Sequence, residues 1–215
     1  MLWIYCLAIL FIILYFYFSF YKENLTNMNN KKIILLGDSI LENSSYANPC
    51  ILEILKSTSH SVLCLAQDNS TIESTYLQLH DLSSNLNNRN TFIFVSVGGN
   101  DILNKFVYKD IQSDKHKNIH NIFQEYQSFV LSLKTKMNLS NIILLNIYYP
   151  YAEYYKSYYP LIKEWNNLLK DFCFKNDFKL LNIADIMTMK EDFSFDIEPS
   201  SVGSQKISKA ILKSL

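Results

Sequence analysis

Apolar residues fall into two kinds of run along this chain. Short unbroken runs at Ile33–Gly37, Ser61–Ala66, Thr91–Val97, Asn141–Ile147 and Lys179–Ile183 are rich in β-branched and large side chains and predict five buried strands. Between them apolar positions recur at helical spacing, as with Ile72, Tyr76, Leu79 and Leu82 inside the segment Thr71–Leu86. Further helices are predicted around Cys50–Ser57, Ile122–Met137, Leu161–Phe174 and Val202–Leu212. A polar stretch from Lys105 to His120 reads as an insertion or lid, and the ten residues after Pro150 as an aromatic-rich loop. Buried strands alternating with helices define the α/β class: a three-layer α/β/α domain on a five-stranded, mainly parallel sheet. Right-handed crossovers then gather the loops that follow the strands along one edge, where open α/β sheets bind ligands.

The first 21 residues break this pattern. Met1 to Tyr21 carries no charged side chain, and as a helix it would be long enough to cross the hydrocarbon core of a bilayer. The expected organisation is a transmembrane signal-anchor at 1–21, a polar tether at 22–30 and one domain at 31–215. A single-pass membrane location and a membrane partner follow. A cleaved signal peptide is the main rival, but the run has no basic start and no small-x-small cleavage site. Lys22, Lys31 and Lys32 after the run favour a cytoplasmic domain. Sequons at Asn24, Asn43, Asn69 and Asn138 would suit the opposite side, so the side is left open.

Charge and composition exclude more than they assign. The 20 basic and 20 acidic side chains cancel, and Arg89 is the sole arginine, so no nucleic-acid partner is expected. Cys50, Cys64 and Cys173 are too far apart in sequence for a zinc or dithiol motif, and neither metal nor organic cofactor is expected. A monomer is expected. The whole chain has only four glycines, Gly37, Gly98, Gly99 and Gly203, and four histidines, none after His120.

Polar segments interrupt the pattern after strands: GDSI at 37–40, QDNST at 67–71 and GGND at 98–101, with FDIEPS at 195–200 before the last helix. Ser39, next to a glycine at the end of a strand, would present its hydroxyl while backbone N–H groups face a developing negative charge. These residues resemble the SGNH or GDSL-like hydrolase family. Gly37, Asp38 and Ser39 match its nucleophile block; Gly98, Gly99, Asn100 and Asp101 match its G-x-N-D block; Pro199, Ser200 and Gly203 match the tail of its last block. The resemblance spans residues 32–213 and implies a flavodoxin-like three-layer fold. It also implies a serine nucleophile at Ser39, and an oxyanion hole from the Ser39 N–H, the residue-69 N–H and the Asn100 side chain.

The chain departs from that pattern twice. Asn69 stands where the family has glycine, and asparagine is one of the few residues that tolerates a left-handed backbone. Glu198 stands where the family has its catalytic histidine, and Phe195 where it has the aspartate, with Asp196 one residue later. Glu198 could itself be the general base, its basicity raised by burial or by Asp196; His116 or His120 could reach in from the inserted region; or catalysis could be lost. Simpler structural roles compete throughout: Ser39 and Asp101 as helix caps, Gly98 and Gly99 as turn formers, Glu198 and Asp196 as carboxylates near a helix N-terminus. The expected function is an acyl-ester hydrolase acting on a small molecule, lipid or glycan. The alternative is an inactive ester- or glycan-binding protein at the membrane.

Overall fold

The computed structural model describes residues 14–15, 30–106 and 115–215. The chain divides into two compact units, Met1–Lys31 and Lys32–Leu215, and the second carries the fold. Its sheet contains β1 (Lys32–Gly37), β2 (Ser61–Cys64), β3 (Thr91–Ser96), β4 (Asn141–Leu145) and β5 (Lys179–Leu181), in the order β2-β1-β3-β4-β5. Every neighbouring pair is parallel. The chain runs outward from β1 to β2, then crosses back to place β3 on the other side of β1. Loops leaving β1 and β3 therefore diverge at the point where α/β sheets of this order form their ligand crevice.

The strands read as continuous apolar runs because both faces are covered. Side chains alternate in direction along a strand, so Ile33 and Leu35 meet one layer while Ile34 and Leu36 meet the other. On the first face α1 (Ile51–Lys56) and the C-terminal helix (Ser201–Lys213) bring Ile51, Leu55, Ile207 and Ile211 against Ile33, Phe94 and Ile143. On the second, α2 (Ile72–Gln78) and two long helices bury Ile72, Phe129, Leu133, Trp165 and Leu169 against Ile34, Ile93 and Leu144. The long helices are α4 (Lys115–Lys136) and α5 (Tyr159–Asn176). Helix α3 (Gly99–Phe106) precedes α4 in the chain, and the C-terminal helix is α6.

Several elements differ from the sequence expectation. Helix α3 grows straight out of the GGND segment, where the two glycines suggest only a turn. Helix α4 starts at Lys115, well before Ile122, because the polar residues of its first turns mask the period; residues 107–114 of the expected lid lie outside the described residues. The segment after Pro150 is not all loop: a 3-10 helix spans Glu153–Tyr158 and leads into α5, where Pro160 occupies the first turn, the one helical position that loses no hydrogen bond to proline. Helix α2 stops at Gln78 and gives way to short 3-10 turns at Leu79–Asp81 and Ser84–Leu86. A two-stranded antiparallel pair, β6 (Phe193–Ser194) with β7 (Glu198–Pro199), was not expected at all. Its turn places Phe195 and Asp196 in left-handed backbone, at φ 46° and 69°.

The expected transmembrane helix is withdrawn. Among the described residues no helix is long and apolar enough to cross a membrane, and residues 1–21, apart from Leu14 and Tyr15, lie outside the described residues. Apolarity makes a run eligible to span a bilayer, but the span itself requires a continuous apolar helix of about 20 residues. The membrane as partner and the single-pass location go with it. One sequon is also unavailable in the folded domain: Asn43 is buried, its Nδ2 donating to the Pro199 carbonyl and the Ser204 hydroxyl while its Oδ1 accepts from the Ile51 N–H.

Candidate functional site

The segment Gly37–Ile40 is fixed by its neighbours on both sides. Gly37 ends β1 at φ +122°, and a Cβ there would fall 1.6 Å from the Ser96 carbonyl oxygen, so a side chain is excluded by both backbone angle and space. The Gln78 side chain clamps the same residue: the Gly37 N–H donates to its Oε1 at 2.8 Å, and its Nε2 donates to the Gly37 carbonyl at 2.9 Å. One residue on, the Asp38 N–H donates to the Ser96 carbonyl at 2.9 Å. Asp38 Oδ1 accepts from the Ser96 hydroxyl at 3.0 Å and from the Ile40 N–H at 3.2 Å. Ser39 is thus held between two pinned residues, at the mouth of the crevice beyond β1. Its own N–H takes no hydrogen bond among the described residues.

The other two loops meet it there. Asn69 has the left-handed backbone that its identity permits, φ 59°, and its N–H also takes no hydrogen bond among the described residues. Asn100, in the first turn of α3, donates from Nδ2 to the Ser70 carbonyl at 3.0 Å. Asp101 accepts the Ile72 N–H at 3.1 Å through Oδ2, so it braces the N-terminus of α2 against α3. Gly98, at φ +115°, lets Trp165 close over the turn: a Cβ there would lie 2.4 Å from its ring. Gly99 faces open space, its nearest such contact being Asp38 Oδ2 at 4.0 Å.

Glu198 reaches the site from β7. Burial raises its carboxyl above the ordinary carboxylate range, the Ser39 hydroxyl draws it back down, and the negative charges of Asp68 and Glu42 raise it further. Its Oε2 is buried without a completed hydrogen bond, so a lone pair is left free beside the serine. Asp38 is pushed up to about 8, chiefly by burial; the Ser96 and Ile40 hydrogen bonds oppose the shift, and Glu198 and Asp101 reinforce it. At neutral pH Asp38 is therefore mostly protonated.

Asp196 does not join this group. It is exposed on the β6–β7 turn, and the carboxylates that act on Glu198 are Asp68 and Glu42 instead. Asp68 is itself held by the Tyr46 hydroxyl, which donates to its Oδ2 at 2.6 Å and whose pKa is pushed up to about 12 by that bond. His120 pairs with Glu164 at 3.3 Å on the surface between α4 and α5, and His116 lies outside the described side chains. No histidine lines the site among the described residues. Nor do these residues include a group of three or more His, Cys, Asp or Glu placed to hold a metal ion, and Cys50, Cys64 and Cys173 are free thiols.

Ser39, Asn69, Asn100, Asp38 and Glu198 line one cleft of about 190 Å³. Its apolar wall comes from Ile102, Leu103, Ile147, Ile162 and Ile197; the buried Tyr148 and the half-buried Tyr155 and Tyr158 also line it. A hydroxyl, two unused N–H groups, a side-chain amide and a carboxylate around one small cavity constitute the parts needed for acyl transfer. Residues 33–211 match the sequence profile of the family described as GDSL-like Lipase/Acylhydrolase. The chain belongs to this family.

Solved structures agree with the fold at low identity. A lipolytic G-D-S-L family protein from Veillonella parvula is 16% identical, with a TM-score of 0.66 over 85% of this chain and 97% of its own. The lipase Lip_vut3 from a goat rumen metagenome is 17% identical, with a TM-score of 0.68 over 86% and 97%. The acetyl xylan esterase AlAXEase is 15% identical, with a TM-score of 0.63 over 86% and 99%. No curated protein sequence matches the chain. Within this GDSL-like chain, sequence reasoning missed Gln78, Asp68 and Tyr46. Asp68 was visible beside Asn69 in QDNST; Gln78 and Tyr46 carry no local signal, since their roles depend on contacts 41 and 22 residues away.

Proposed function

We propose that this GDSL-like protein is a serine ester hydrolase in which Glu198 takes the place of a histidine base. Ser39 Oγ attacks the ester carbonyl while its proton passes to Glu198. The new Oγ–C bond creates an oxyanion that the Ser39 and Asn69 N–H groups and the Asn100 amide stabilise. The intermediate collapses with cleavage of the ester C–O bond, and the alcohol leaves with the proton from Glu198. Water, deprotonated by Glu198, then attacks the acyl-enzyme; the acid departs and Ser39 regains its proton. Asp38, kept neutral by burial, leaves Glu198 as the acceptor nearest the serine.

The observation that carries this reading is the free carboxylate oxygen of Glu198 next to Ser39 in the same small cleft as Asn69 and Asn100. A carboxylate whose pKa is raised by burial is a better base than an ordinary one. Hydrolysis of short- and long-chain acyl esters tests it. Turnover should fall by at least roughly a hundredfold in Ser39→Ala and in Glu198→Gln, the range expected when nucleophile or base is removed. Turnover equal to the parent in Ser39→Ala excludes the mechanism. That no histidine lines the cleft among the described residues favours a second reading, an ester-binding protein without catalysis, whose signature is ligand binding with no turnover in the parent protein.

A further inference from the structure

The charged side chains lining the cleft, among the described residues, are all acidic: Asp38 and Glu198, with no lysine, arginine or histidine. Asp38 adds little, being mostly protonated, but the surroundings add more. Glu198 and Asp196 both act on the Tyr155 hydroxyl, so two carboxylates project their field onto the mouth, while Asp68 and Glu42 add negative charge beside Glu198. The same mouth is aromatic. Tyr155 and Tyr158 both line it, their ring centroids 6.3 Å apart and their planes inclined at 55°, and Tyr154 packs on Tyr155 at 4.2 Å. A cation is attracted to an aromatic ring within about 6 Å of its centroid, and a corner of this size brings both rings within that range. Aromatic rings combined with negative field suit a quaternary ammonium group, which has no N–H to satisfy; the neighbouring Lys156 does not line the cleft and is paired with Glu153 at 2.6 Å.

We infer that the cleft selects esters whose alcohol portion carries a positive charge, seated at the Tyr155–Tyr158 corner while the acyl carbonyl lies at Ser39. This rests on the ester-hydrolase reading of the same cleft. Anionic esters are disfavoured by the same carboxylates.

The test compares acetylcholine with its uncharged isostere 3,3-dimethylbutyl acetate, using the full chain at low ionic strength. The expected kcat/KM ratio favours the cation by about tenfold, in the range of a partly desolvated cation–π contact. It shrinks as salt is added, because the carboxylates at the mouth are screened. Tyr155→Leu and Asp196→Asn should each move the ratio toward one. A ratio of one or below in the parent overturns the inference while leaving hydrolysis intact. If neither ester is turned over, the hydrolase reading fails, and calorimetry with choline against 3,3-dimethylbutanol decides the charge preference alone. Tighter binding of choline sustains the cation site; equal binding, or none, overturns it.

Discussion

Asp38 offers the sharpest physical test, because it is a buried acid whose ionisation the fold resists. Its side chain is 2% exposed and its pKa rises from 3.8 to about 8, with burial the largest cause. In the unfolded chain the same group is ionised above pH 4. Folding between these limits therefore takes up a proton, and the sign follows: the contribution to stability is full below the unfolded value and is lost as pH rises through the folded one. The slope is about 1.4 kcal/mol per pH unit, so roughly 3 kcal/mol disappears between pH 5 and pH 7. That is a large part of the 5–15 kcal/mol that holds a typical domain together.

Asp38→Asn removes the proton while keeping an oxygen to accept from Ser96 and Ile40. Urea denaturation of parent and variant at matched pH values isolates the effect, since every other titrating group contributes equally to both. The variant should gain on the parent by about 3 kcal/mol from pH 5 to pH 7. Parallel stability curves for the two proteins would refute the assignment of a neutral, proton-holding Asp38.

Three other outcomes follow from the same coordinates. Glu198→Gln should raise stability near neutral pH, because an ionisable group disfavoured by burial is removed, while esterase activity falls; a variant that loses both would mark Glu198 as structural. Gln78→Leu should cost roughly 1–3 kcal/mol in chemical denaturation by stranding the buried N–H of Gly37, whose carbonyl keeps the Gln67 N–H, and a loss under half a kcal/mol would contradict the clamp. Gly98→Ala should cost at least about 2 kcal/mol, since its Cβ overlaps the Trp165 ring at an unfavourable φ, and near-ultraviolet circular dichroism should report the displaced indole.

The fold was legible because its strands are buried on both faces and therefore apolar without interruption. That signal is strong at β1 and β3, whose residues Ile33–Leu36 and Phe92–Val95 are almost wholly inaccessible. It fails where structure depends on remote contacts. Helix α3 begins at glycine, which weakens helices, and it forms because Asn100 and Asp101 tie its first turn to Ser70 and Ile72. The β6–β7 pair is only two residues long on each strand, too short to carry a period. What surrounds it is tertiary: Ser194 donates to the Tyr46 carbonyl, Asn43 to the Pro199 carbonyl, and Gly203 admits the Asp192 backbone where a Cβ would sit 2.3 Å away.

The same division explains the site. Ser39, Asn69 and Asn100 follow strands that are adjacent or nearly so in the sheet, so the order of strands alone brings them to one edge. Glu198 and Asp196 follow no sheet strand, and sequence distance misleads there. Two residues apart, they sit on opposite sides of a left-handed turn: Ile197 and Glu198 turn inward to the cleft, and Asp196 stays exposed. The carboxylate that does influence Glu198, Asp68, is 130 positions earlier but adjoins Asn69 at the same edge. The carboxylate at the family's histidine position is thus influenced by the loop that carries Asp68 and Asn69 rather than by its own block. Asp68→Asn should accordingly move the acid limb of the pH–rate profile to lower pH, because one of the negative charges that discourage ionisation of Glu198 is gone; an unmoved limb would detach Glu198 from the proton transfer.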